Sequence, residues 1–256
     1  REDGIHTDQI DKFNIRTRRM TPATPLAYPR CTTACCIVAV KISGATIKHE
    51  DGIIICGGEN IHEQSTRIVE LFIPRQNRMH RLPPMQTSRS AGAAVALPDG
   101  RVFVAGGRNT RYPLADGDHA SVEFSNLQAD WQTASASEFW RQAAPMMNKR
   151  SQFSMAYFKG RVIAAGGGRE GQRAELFSPP DMDHPLGQWT PTTSFSNLNT
   201  CSSLVICNDR LFAVGGFMGD TIEELDASND ISSWRWMVKR AATYIGSFYG
   251  ATSVLL

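Results

Sequence analysis

The stretch Val102-Phe103-Val104-Ala105-Gly106-Gly107, small and β-branched residues closed by a glycine doublet, decides the reading of this chain because it recurs. Its counterparts are Ile53-Ile54-Ile55-Cys56-Gly57-Gly58, Val162-Ile163-Ala164-Ala165-Gly166-Gly167 and Leu211-Phe212-Ala213-Val214-Gly215-Gly216. From the first glycine of one doublet to the next the steps are 49, 60 and 49 residues. A turn dipeptide precedes each run: Asp51-Gly52, Asp99-Gly100, Lys159-Gly160 and Asn208-Asp209. β-branched runs bounded by such dipeptides read as strands entered from tight turns.

Working outward, each doublet is followed by a loop and a second apolar stretch holding an acid: Glu70, Glu123, Glu175 and Glu224. A shorter strand with a large residue comes next: Met79, then Trp140 or Trp131, then Trp189, then Trp234 or Trp236. Ahead of the doublet runs lie further apolar stretches, such as Gly92 to Leu97, Ser154 to Phe158 and Ser203 to Ile206. Four strands therefore repeat at about 50 residues, the period of an all-β propeller blade. Glycine suits a place where backbones crowd or φ turns positive, since a Cβ there meets a steric cost. A dinucleotide-binding loop would need the doublet to open a helix inside a βαβ unit, and these doublets lead into loops and more strands.

The order of turn, strand ending in Gly-Gly, variable loop, acid in an apolar strand, then Trp followed by Pro-Met and Arg resembles the kelch repeat. The resemblance covers nearly the whole chain and is best in Arg89 to Met146 and Arg150 to Trp189. Met20 and Met79 stand where the family usually has Trp, and the second full unit carries an insertion. It implies a kelch-type β-propeller of four-stranded antiparallel blades: four complete blades at 30–88, 89–149, 150–198 and 199–245, with partial blades at 1–29 and 246–256. Thr7 to Phe13 aligns with Thr66 to Phe72, and Ala251 to Leu256 with the strand that precedes a doublet run. Similar kelch proteins usually close a ring of six, so the expectation is an incomplete propeller with sheet edges left unpaired.

Composition narrows the function classes. The chain has 256 residues, 41% hydrophobic and 20% charged, as in ordinary globular proteins. Its 27 Lys and Arg against 25 Asp and Glu leave +2, too little for bulk attraction to nucleic acid or an acidic membrane surface. No apolar run approaches the roughly 18 residues of a membrane span. Six cysteines, Cys31, Cys35, Cys36, Cys56, Cys201 and Cys207, show no C-x-x-C spacing, and there is no N-x-S/T sequon, so a cytoplasmic setting is expected. The six histidines, His6, His49, His62, His80, His119 and His184, form no H-x-H or H-E-x-x-H pattern, and no metal or cofactor is expected. Some kelch-fold proteins are copper oxidases using two Tyr, two His and a Cys. Tyr28, Tyr112, Tyr157, Tyr244 and Tyr249 do not resolve into such a set, and Cys56 sits where other units carry Ala105, Ala165 and Val214. No catalytic residue is assigned, and no enzyme activity is expected.

What remains is a binding surface carried by loops on rigid blades. An Arg follows each Pro-Leu or Pro-Met pair at fixed distance, giving Arg30, Arg89 and Arg150, and Asn199 breaks the series in the fourth unit. After the doublets stand Glu59 and Asn60, Arg108 and Asn109, Arg169 and Glu170, then Phe217 and Met218. The kelch resemblance implies that arginines at this position and polar residues after the doublets hold a peptide. The candidate partner-binding residues are therefore Arg30, Arg89, Arg150, Asn199, Asn60, Arg108, Asn109 and Arg169. A planar guanidinium binds a carboxylate bidentately, so the expected partner is a protein with an acidic or hydroxyl-bearing motif. The alternative is that the arginines brace neighbouring blades through backbone carbonyls, with Glu70, Glu123, Glu175 and Glu224 as partners. The loop from Arg108 to His119, with Arg111, Tyr112, Pro113, Asp116 and Asp118, is the longest of its class and is either a contact surface or a solvated insertion. The resemblance further implies substrate recognition for a cullin-3 ubiquitin ligase, with cullin 3 held by a BTB domain that this sequence does not display. An actin-binding or scaffolding kelch protein would have the same repeat.

Overall fold

The computed structural model describes residues 6–42, 48–109, 117–128, 131–167, 173–195, 202–215, 221–228 and 230–241. The first strands form a hairpin, β1 (Asp11–Asn14) with β2 (Arg19–Pro22). Four four-stranded antiparallel sheets follow, each a simple meander in chain order. The first is β3 (Ala34–Ile42), β4 (Lys48–Cys56), β5 (Val69–Ile73) and β6 (Arg78–Leu82). The second is β7 (Ala93–Ala96), β8 (Arg101–Ala105), β9 (Val122–Asn126) and β10 (Arg141–Ala143). The third is β11 (Ser154–Phe158), β12 (Arg161–Ala165), β13 (Ala174–Ser178) and β14 (Gln188–Pro191). The fourth is β15 (Ser202–Cys207), β16 (Arg210–Gly215), β17 (Thr221–Asp226) and β18 (Arg235–Ala241). The insertion in the second unit contains a single helical turn, α1 (Ala136–Phe139).

Successive side chains of a strand point to opposite faces, and here each face meets a different neighbouring sheet. Val102 and Val104 join a core with Ile54, Leu71 and Ile73 of the first sheet. Phe103 and Ala105, on the other face of the same strand, join Val162, Phe177 and Trp189 of the third. Ile163 and Ala165 then pack with Leu204, Leu211 and Leu225 of the fourth. Sandwiching explains why the doublet runs are continuously apolar rather than alternating, and why Val102, Phe103, Val104 and Ala105 are all buried. The leading strands of successive sheets also lie side by side, β3 against β7, β7 against β11 and β11 against β15, as blades around a common axis.

Two of the turn dipeptides have positive φ at both residues, Lys159-Gly160 (46° and 80°) and Asn208-Asp209 (49° and 55°), the twist-matched geometry of two-residue hairpins. Asp51-Gly52 differs from expectation. It lies inside β4, paired with Ala39 and Val38, because the apolar run of β3 continues past the doublet strand and lengthens the hairpin. Gly52 serves packing: a Cβ there would stand 2.7 Å from Leu71 Cδ1 and 2.8 Å from Val40 Cγ2.

Candidate partner-binding face

The doublet glycines define one end of the blades. Gly57 and Gly106 have φ of 64° and 60°, and a Cβ on them would lie 2.2 Å and 2.5 Å from the carbonyl oxygens of Arg89 and Arg150 in the following unit. Those same carbonyls accept from Gly58 N (2.9 Å) and Gly107 N (2.8 Å), so each doublet is stitched to the next unit's arginine backbone. The arginine side chains turn inward. Arg30, Arg89 and Arg150 are 3%, 1% and 1% exposed.

Each guanidinium pairs with the acid of its own third strand: Arg30 with Glu70 at 2.5 Å, Arg89 with Glu123 at 2.8 Å and Arg150 with Glu175 at 2.8 Å. Arg89 Nη1 also donates to the carbonyls of Gly106 (2.5 Å) and Ser121 (3.1 Å), and Arg150 Nη1 to those of Gly166 (2.6 Å) and Arg173 (2.8 Å). The carboxylates reach backward to the segment that arrives from the preceding unit. Glu70 accepts from Ala27 N, Glu123 from Gln86 N and Thr87 N, and Glu175 from Met147 N and Asn148 N. Charge is neutralised, as a buried pair requires, and Arg150 Nε also donates to Glu175, while the Nε of Arg30 and of Arg89 have no hydrogen-bond partner among the described residues. A ligand carboxylate would have to displace a buried glutamate to reach these arginines.

In the fourth unit the acid is not Glu224. Across the strand pair, Ile55 faces Glu70, Val104 faces Glu123, Ala164 faces Glu175 and Ala213 faces Glu223. Glu223 is fully buried at the repeat position, while Glu224 faces Arg210 and Lys239 at 2.6 Å and 3.0 Å. The residue before the acid carries the signal: Val69, Val122 and Ala174 correspond to Ile222, not to a second glutamate. The Trp alternatives resolve likewise. Trp189 pairs with Phe177 and Trp236 with Leu225, and Trp140 stands one residue ahead of β10. Trp140 Nε1 donates to Pro83 O (2.9 Å) and Trp189 Nε1 to Ala144 O (2.8 Å), the residue before each Pro-Met. Trp131 instead binds Lys41 O and meets His80 edge-on.

The polar residues after the doublets are differently placed. Asn60 is half-buried, and its side-chain oxygen accepts from His62 N (2.9 Å) and Gln64 N (3.0 Å), shaping the loop. Asn109 is exposed and accepts from the Ser88 hydroxyl at 3.1 Å. Arg108 is half-buried, and its Nε has no hydrogen-bond partner among the described residues. His119 N donates to the carbonyl of Gly107, the residue before Arg108, at 2.8 Å. Burial, then the charge of Arg89, holds its imidazole below the usual histidine range, and its buried Nε2 has no partner among the described residues. Sequence reasoning missed His119 because nothing in its spacing marks it. Asn199, Arg169, Glu170, Phe217 and Met218, with Arg111, Tyr112, Pro113 and Asp116 of the long loop, lie outside the described residues. A cleft beside Glu175, lined by Met147, Asn148, Arg173, Pro191 and Ser194, measures about 280 Å³. That is at the lower edge of small-molecule sites, which span roughly 300 to 1,000 Å³.

No protein-family profile matches the chain. It is 32% identical over 90 residues to Kelch-like protein 41b of Danio rerio, covering 35% of this chain and 14% of that protein. To human Kelch-like protein 31 it is 30% identical over 125 residues, 48% of this chain and 19% of that protein. To Spermatocyte protein spe-26 of Caenorhabditis elegans it is 26% identical over 179 residues, 67% of this chain and 29% of that protein. The solved structure of YjhT, a kelch-type propeller, matches with a TM-score of 0.67 at 11% identity over 96% of this chain and 86% of the other. The chain is a kelch-repeat propeller that resembles the kelch-like proteins. It spans between 14% and 29% of the length of the curated relatives it matches. Within this kelch propeller the recurrent arginines lie beneath the doublet end of the blades, and Asn60, Arg108 and Asn109 lie in the loops at that end.

Proposed function

We propose that this kelch propeller is a non-enzymatic protein-interaction domain, the substrate-recognition part of a cullin-3 ubiquitin ligase adaptor acting in the cytoplasm. The likeness to Kelch-like proteins 41b and 31 supports the adaptor reading. Cullin 3 would be engaged by a BTB segment outside these 256 residues. The observation that carries the interaction role is the division of labour at the doublet end. Arg30, Arg89 and Arg150 are buried in internal ion pairs, while Arg108 is only half-buried and stands beside exposed Asn109. In this reading Asn60, Arg108 and Asn109 contact the partner, Arg169 and Asn199 continue the same repeat positions, and an acidic or hydroxyl-bearing motif is the ligand. The buried arginines fix the loops and do not touch the ligand.

The test is proximity labelling of the full-length protein against an Arg108→Ala/Asn109→Ala variant shown by circular dichroism and melting to fold alike. Cullin 3 captured by both, with a specific partner lost from the variant, supports the reading. Absence of cullin 3 with actin or a fixed scaffold set captured equally by both overturns it.

A further inference from the structure

His6, Cys31 and Glu59 come from three separate stretches of chain, yet their ligating atoms all lie within 4.8 Å of one another. The backbone holds them there. Cys31 and Glu59 exchange paired hydrogen bonds, Cys31 N to Glu59 O at 3.1 Å and Glu59 N to Cys31 O at 2.9 Å. His6 precedes Thr7, whose carbonyl accepts from Arg30 N at 3.1 Å, so it is tied to the residue before Cys31. Glu59 is 4% exposed. His6 Nε2 is buried without a hydrogen-bond partner among the described residues. A buried carboxylate beside an orphaned imidazole nitrogen is costly unless something fills the space between them.

The repeat supplies an internal control. Arg108 follows Gly106-Gly107 as Glu59 follows Gly57-Gly58, Ser90 follows Arg89 as Cys31 follows Arg30, and Ser65 precedes Thr66 as His6 precedes Thr7. The same bridges join them, Ser90 with Arg108 as Cys31 with Glu59. At that junction the Ser65 hydroxyl lies 3.0 Å from the Ser90 hydroxyl and 2.7 Å from the Arg108 carbonyl, so small hydroxyls close the gap. The fold therefore needs only two serines here. The first junction carries a nitrogen, a sulfur and an oxygen ligand instead, at positions too far apart in sequence to form a local motif.

We propose that His6, Cys31 and Glu59 bind a zinc ion, one ligand atom each, with water in the fourth tetrahedral position. Mixed imidazole, thiolate and carboxylate donors suit zinc, whereas calcium and magnesium take oxygen ligands. On binding, the Cys31 thiol releases its proton to water. Thiolate and carboxylate then balance the two positive charges of the ion, leaving the buried cluster neutral. The site clips the segment leading into β1 onto the β3–β6 sheet, so its effect is on stability.

The experiment uses the full chain, reduced and stripped with a chelator. Zinc is titrated against a chromophoric chelator, thermal melting is followed, and cobalt is added as a spectroscopic probe. Cys31→Ser and His6→Ser install the residues that the neighbouring junction already tolerates, and Cys207→Ser controls for an exposed thiol elsewhere. Expected are one equivalent of zinc, a raised melting temperature, and a thiolate-to-cobalt charge-transfer band. Cys31→Ser should abolish the band, and each ligand variant should weaken zinc by at least about tenfold, the smallest loss seen even for outer-shell changes. No stoichiometric zinc, or zinc bound equally well by folded Cys31→Ser and His6→Ser, overturns the proposal.

Discussion

Arg150 and Arg210 both meet a glutamate at hydrogen-bond distance, but burial makes them different devices. Arg150 and Glu175 are each 1% exposed in their side chains, so neither charge has water to fall back on. Arg210 is 54% exposed, so water screens its side of the pair with Glu224, whose side chain is 11% exposed. This pair still titrates. Hydrogen bonds from Arg210, with Lys239 beside them, hold the Glu224 carboxyl at about 2 against an ordinary 4.5. A depressed carboxyl contributes stability that is whole above its unfolded value and is lost as pH falls through its folded one. Glu224→Gln should therefore be less stable than the parent near neutral pH, and the gap should close between about pH 4.5 and 2. Urea midpoints across that range measure it, and a gap that persists unchanged at pH 2 contradicts the assignment. At this scale sequence reasoning chose Glu224 over Glu223, because two adjacent acids in Glu223-Glu224 left the register ambiguous. Only the strand pairing, which is non-local, decides it.

Elements were the most legible level. Ser154–Phe158 is a strand with the bounds the apolar run suggests, and Val102 to Ala105 lies within β8. The misread element was Asp51-Gly52, since a turn dipeptide and a crowded strand glycine look alike until the neighbours are known. For Arg30, Arg89 and Arg150 the sequence offered both a bracing and a binding role but could not choose between them: recurrence marks either, and burial by adjacent blades is a tertiary fact. The doublet itself can be tested. Gly106→Ala would place a Cβ 2.5 Å from Arg150 O at φ of 60°, where both strain and clash oppose it. The expected loss is roughly 1 to 3 kcal/mol, the usual scale of such strain. Gly160→Ala, with positive φ but nothing within 4 Å, should cost less. Equal losses by denaturant unfolding would show that backbone approach at the doublet is unimportant.

Across the whole molecule, three cores between successive sheets and the Arg–Glu pairs beneath the doublets hold the blades in order. Each pair joins a blade's third strand to the segment arriving from the blade before, so it acts on blade-to-blade cohesion. The proposed partner face is carried by loops standing on that frame. The measurement that tests this most directly is a double-mutant cycle at Arg89 and Glu123 by urea unfolding, with partner capture followed in parallel. Arg89→Ala should cost about 3 to 5 kcal/mol by stranding a buried carboxylate, and Arg89→Met/Glu123→Leu should recover most of it. Partner capture by the double variant should match the parent. An Arg89→Ala protein as stable as the parent that has lost its partner would contradict the account and make Arg89 a binding residue.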